Sequence, residues 1–140
     1  MKWVLVTHVI VTVYMLGLCW FVQIVHYPLF REIPKNEFDS YMSKNWITVY
    51  VTGPFMIVEL ITGLILLFHF SDLYHFINIG LLGITGFSTI LIQIPIHIKL
   101  KKGYDKILID QLVKTNWLRT VSWTLRTVLI GFLLFSYLNI

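Results

Sequence analysis

Two histidines, His26 and His97, each share a helix face with a glutamine: Gln23 lies three residues before His26, and Gln93 four before His97. Imidazole is the side chain whose charge changes near neutral pH. A facing pair of imidazoles could exchange protons with a bound molecule, hold a metal ion or sandwich a haem. Glu59 would complete a two-histidine, one-carboxylate set, but its position along its own segment puts it well below the histidines. No close His-x-x-x-His or Cys-x-x-Cys spacing occurs. On these residues the site has either no cofactor, or a haem or metal held through His26 and His97.

A second pattern lies nearer the C-terminus. Asn116, Arg119, Trp123 and Arg126 follow 3-4-3 spacing, one continuous helical stripe. Two arginines and a tryptophan are poorly placed against lipid, so the stripe is expected to face a polar cavity or an anionic group. Glu59 lies 12 residues past Ile47, and Arg126 lies 10 past Asn116. At about 1.5 Å per residue the two charges reach similar depths, and pairing is the simplest way to tolerate both. His26, His97 and Arg119 are therefore the candidate catalytic groups. Gln23, Gln93, Asn116, Trp123, Glu59 and Arg126 are the candidate ligand-binding groups. All of these but Trp123 are expected together in the cytoplasmic half. Thr7, His8, His69, His75 and Asn78 are expected mostly near the opposite surface.

An offset of 71 residues relates His26 to His97 (97 − 26), Asn45 to Asn116 (116 − 45) and Trp46 to Trp117 (117 − 46). Shared by uncommon residue types, this offset suggests two tandem hairpin repeats.

The elements that must carry these residues follow from composition. Of 140 residues, 57% are hydrophobic and 13% charged, and the mean hydropathy is +0.78. Water-soluble domains carry about 25% charge. Four stretches, approximately 3–27, 46–70, 74–98 and 116–138, are each long enough to cross a bilayer. The expectation is a single all-α domain, 1–140: an integral membrane four-helix bundle. Alternating polarity of the kind a barrel needs is missing. The first apolar run exceeds a signal-peptide core and reads as a permanent helix. Cys19, the one cysteine, is expected to be a buried, inert thiol.

Loops one (28–45) and three (99–115) are each expected to hold a short interfacial helix. Arg31, Lys35 and Lys44 lie in loop one; Lys99, Lys101, Lys102, Lys106 and Lys114 lie in loop three. The second loop, Ser71-Asp72-Leu73, has neither Lys nor Arg. The positive-inside rule puts loops one and three in the cytoplasm and both termini outside, with the bacterial inner membrane the expected location. The same topology accounts for the net charge of +4 without nucleic acid as a partner.

Pro95-x-His97-x-x-Leu100, followed by Asn116-Trp117-x-Arg119-Thr120-x-x-Trp123-x-x-Arg126, resembles the C-terminal half of the anthrone oxygenase-like family. The resemblance covers roughly the last third of the chain. It implies a small four-helix membrane protein and, by the family's named activity, cofactor-free oxygenation of an anthrone. His97 stands where that family's pattern commonly has Asn.

The residues converge on a membrane protein with a polar pocket in its cytoplasmic half. That pocket would bind a lipophilic small molecule or cofactor, with an oxidoreductase as one form of the activity. The alternatives are a small proton-coupled transporter using Glu59 and a non-catalytic membrane subunit. Membrane lipid and a lipophilic small molecule are the expected partners, and an oligomer is compatible with the sequence.

Overall fold

The structure, a computed structural model, describes residues 1–138. Four long helices account for nearly all of it: α1 (Lys2–Glu32), α2 (Phe38–Phe70), α3 (Leu73–Leu100) and α4 (Lys106–Leu138). No strand occurs among the described residues. The helices form a ring in which α1 and α3 each pack on α2 and α4. Thus α1 lies diagonal to α3, and α2 diagonal to α4.

The distribution of side chains is that of a protein dissolved in lipid. Phe68 is 79% exposed and Val128 70%, whereas Glu59, Asn116 and Arg126 are fully buried. In hydrocarbon, an apolar surface costs nothing and each polar group must find a partner inside. All four helices are long and apolar enough to cross a bilayer. The chain is an integral membrane four-helix bundle.

Local sequence sets the helix ends. Ser71 takes a left-handed conformation (φ 50°, ψ 34°) that stops α2. Asp72 then caps α3 by accepting from the His75 backbone N–H at 3.0 Å. Gly103 has φ +138°, a region that favours glycine, and turns the chain between α3 and α4. Asp105 accepts from the N–H groups of Ile107 and Leu108, at 2.9 and 3.1 Å, and starts α4.

The short helix expected in loop one is present as Phe38–Asn45, and it abuts Ile47–Phe70 at Trp46. In loop three a helix does form after Gly103, but it is not separate. With no glycine or proline between positions 106 and 130 to interrupt it, it runs unbroken into the fourth span and gives one helix of 33 residues. At about 1.5 Å per residue this is longer than the roughly 30 Å hydrocarbon core, so its first turns stand clear of it. Arg31 and Lys106 both bind Asp110 there, at 2.7 and 2.8 Å.

Two irregular turns matter most for the site. Val22–His26 in α1 and Thr89–Gln93 in α3 are π-helical, and each is followed after one residue by a proline, Pro28 or Pro95. Proline has no N–H and its ring excludes the carbonyl four residues back. Widening the preceding turn by one residue relieves that clash without breaking the helix. Both π turns pack on α4, whereas α2 packs chiefly on Lys2–Phe21 of α1 and Leu73–Ser88 of α3. A gap is left where α2 passes the widened turns.

Candidate functional site: a cavity at the widened turns

That gap is a cavity of about 150 Å³ between α1, α2 and α3, with Arg119 of α4 in its wall. Its polar lining includes His26, Asn45, Gln93, His97 and Arg119. Met15, Leu18 and Met56 form part of its apolar side. Two lining residues, Phe21 on α1 and Val49 on α2, are themselves exposed, so the cavity opens sideways at that seam.

Three lining side chains carry a buried polar atom without a hydrogen-bond partner: His26 Nε2, Gln93 Oε1 and Arg119 Nε. Buried polar atoms are nearly always satisfied, so three in one wall call for an occupant. His26 and Gln93 are the last residues of the two π turns. The turns that prolines force on α1 and α3 thus place both groups at the same void.

The surroundings hold these groups in place. His97 Nε2 is 3.1 Å from the Tyr27 hydroxyl. The His26 ring packs edge-on against Phe30, 5.0 Å between centroids. Gln93 Nε2 donates to Thr115 Oγ1 at 3.0 Å, leaving its carbonyl oxygen free. Arg119 donates to Asn116 Oδ1 at 3.3 Å and lies over the Trp123 ring at 5.4 Å. Arg31 and Arg126 each pair with a carboxylate, but no described carboxylate pairs with Arg119. No Asp or Glu lines the cavity.

Of the nine residues singled out in the sequence, four meet here: His26, Gln93, His97 and Arg119. Gln23 and Asn116 do not line the cavity. Gln23 donates to the Val113 carbonyl at 3.1 Å and accepts from Asn116 at 2.9 Å, so the two tie α1 to α4.

Glu59, Trp123 and Arg126 form a separate, fully buried network, in which Arg126 Nη2 has no partner. Arg126 Nη1 is 2.7 Å from Glu59 Oε1, with both side chains fully buried. Trp123 Nε1 donates to the two Glu59 oxygens at 3.1 and 3.2 Å. Arg126 Nε donates to Asn78 Oδ1 at 3.0 Å, and Asn78 Nδ2 donates to His8 Nε2 at 3.1 Å. His8 Nδ1 meets Thr62 Oγ1 at 2.7 Å. Because Thr62 gives its own proton to the Val58 carbonyl, His8 is assigned as the neutral Nδ1–H tautomer.

This network adds two groups that were not singled out as site residues. His8 and Asn78 are fully buried there. His8 did carry a signal: with Thr12, Met15 and Cys19 it makes a 4-3-4 stripe, the buried face of α1. Tyr27 and Asn45 also line the cavity and were not picked as site residues; Asn45 had surfaced only through its repeat partner, Asn116.

The cavity does not suit a haem. At about 150 Å³ it has room for one small ring but not for a porphyrin, and His97 Nε2 is engaged by Tyr27. No group of three His, Cys, Asp or Glu side chains with metal-binding geometry occurs among the described residues. A dry cavity of about 150 Å³ accommodates one benzene-sized ring.

Comparison with protein-family models, curated proteins and solved structures finds no match to this chain. Fold and cavity define it only as a small integral membrane four-helix bundle with a side-opening, largely apolar void that carries a few polar groups.

Proposed function

We propose that this protein binds a lipophilic small molecule that enters sideways from the bilayer, and that His26 and His97 exchange protons with its polar head. One observation carries the proposal: unsatisfied polar atoms on His26, Gln93 and Arg119 converge on a single void whose mouth is apolar. His26 Nε2 is free to give or take a proton, and His97 can pass one through the Tyr27 hydroxyl. Oxidation of the bound molecule, as the resemblance to the anthrone oxygenase-like family implies, is the first activity to assay. A Glu59-based transporter finds less support, because Arg126 and Trp123 enclose that carboxylate.

The cluster of Arg31, Lys35, Lys101 and Lys102 near the cavity end supports a cytoplasmic position for that end. We also read the chain as a duplicated hairpin. Support comes from a second offset, of 67 residues, relating His8 to His75, Pro28 to Pro95, Glu59 to Arg126 and the π turn at Val22 to that at Thr89. It differs from the 71-residue offset by four, about one helical turn, and under it His26 aligns with Gln93 rather than with His97.

The test is ligand retention. Protein purified in lipid nanodiscs, with co-purifying molecules identified by mass spectrometry, is compared with His26→Ala and His97→Ala. Both variants should lose the molecule to a similar degree while assembling normally. Retention by both at wild-type levels would end the proposal.

A further inference from the structure

Resting on that proposed site, we infer that the molecule's head is a monoanionic oxygen acid, a carboxylate or an acidic phenol, whose charge is met by Arg119. Among the cavity-lining residues Arg119 is the sole permanent cation, and none is acidic. Its Nε is buried without a partner; its hydrogen bond to neutral Asn116 is long at 3.3 Å, and the Tyr27 hydroxyl beside it is also neutral. A guanidinium withdrawn from water normally takes a carboxylate, as the fully buried Arg126 does with Glu59 at 2.7 Å; Arg119 is half-buried, with its Nε enclosed. The chain supplies Arg126 with its counter-charge and leaves Arg119 without one.

The rest of the wall matches such an acid. His26 Nε2 can donate to a second oxygen when it carries the proton. Gln93 Oε1 only accepts, so it does not bind the ionised oxygen and would instead meet a separate hydroxyl on a ring-bearing head. With about 150 Å³ available, the head is limited to a carboxyl group or a single ring. Its chain would leave past Phe21 and Val49 into lipid, with Met15, Leu18 and Met56 beside it. A quaternary amine would meet Arg119 with like charge, and a neutral alcohol would leave it unpaired.

The experiment compares four amphiphiles of equal chain length in phosphatidylcholine nanodiscs: a fatty acid, an alkylphenol with an acidic ring, a fatty alcohol and an alkyltrimethylammonium. Binding to the wild-type protein is measured by displacement of a photoreactive fatty-acid probe. At least one acid should bind about 10- to 100-fold more tightly than the alcohol, the range of one charge-assisted contact. The ammonium should not compete, and Arg119→Gln should remove the preference while Arg119→Lys keeps part of it. The tighter of the two acids identifies the head. Equal binding of acid and alcohol to the wild type would overturn the charge assignment but leave the sideways site standing. If no amphiphile binds and the probe labels nothing on α1–α3, both fall. The wild-type comparison needs no variant to fold.

Discussion

Replacing Glu59 by Gln removes one charge from a pair that is fully enclosed. Arg126 would keep its bond to Asn78 at 3.0 Å but lose its carboxylate at 2.7 Å. Breaking one side of a buried ion pair costs about 3–5 kcal/mol, because the remaining charge is left uncompensated. Arg126→Met should cost about the same, since Glu59 would retain only the Trp123 N–H donor. The double variant leaves no charge at all. Its main losses are the partners of Trp123 and Asn78, each worth about 1–3 kcal/mol if left buried and unsatisfied. The double variant should therefore be less destabilised than the two singles added together, by several kcal/mol. Denaturant unfolding in detergent micelles, followed by tryptophan fluorescence across the four proteins, measures this coupling. Additive effects, or a Glu59→Gln protein as stable as the wild type, would refute the reasoning. The second result would also revive Glu59 as a group that titrates in function.

Other outcomes follow from particular contacts. A Cβ on Gly63 would sit 3.0 Å from Ile79 Cδ1 and 3.1 Å from His8 Cε1. Gly63→Ala should therefore displace His8 and cost about 1–3 kcal/mol, while Gly80→Ala, with open space around it, should be neutral or stabilising by thermal melt. At the α2–α3 turn, burial acts to raise the Asp72 carboxyl. Hydrogen bonds from the backbone and ring of His75 outweigh it and hold the carboxyl below the usual carboxylate range. A depressed carboxyl contributes stability above its unfolded pKa and loses it as pH falls through its folded one. The first turn of α3 should thus stay protected from hydrogen exchange at neutral pH and open only on acidification below the ordinary Asp range, a step that Asp72→Asn should remove.

Much of the architecture could be read from the residues themselves. Four apolar stretches in a chain with 13% charge admit no water-soluble fold, and short connections force neighbouring helices to run antiparallel. The stripe at Asn116, Arg119, Trp123 and Arg126 reads as an inward face, and all but the half-buried Arg119 are in fact buried. Arg119 is the member that reaches the cavity. Equal depth was enough to match Glu59 with Arg126.

The division of that stripe between two sites was not legible. Spacing along one helix says which residues share a face, not which of the three other helices each will meet. Gln23 and Gln93 look alike beside their histidines, yet Gln23 is satisfied by Asn116 and Val113, and Gln93 keeps a free oxygen. His8 was read only for its short distance from the helix start; its partners Thr62 and Asn78 come from α2 and α3, which spacing along α1 does not reveal.

Composition and periodicity determined by themselves that this chain lives in lipid as four helices with polar residues turned inward, because hydrocarbon penalises every other arrangement. Tertiary structure alone decided which polar groups are left without partners. Pro28 and Pro95 widen the turns before them, α2 does not follow, and His26, Gln93 and Arg119 border the resulting space. A vacancy of that kind is a property of several helices at once, and no single segment encodes it.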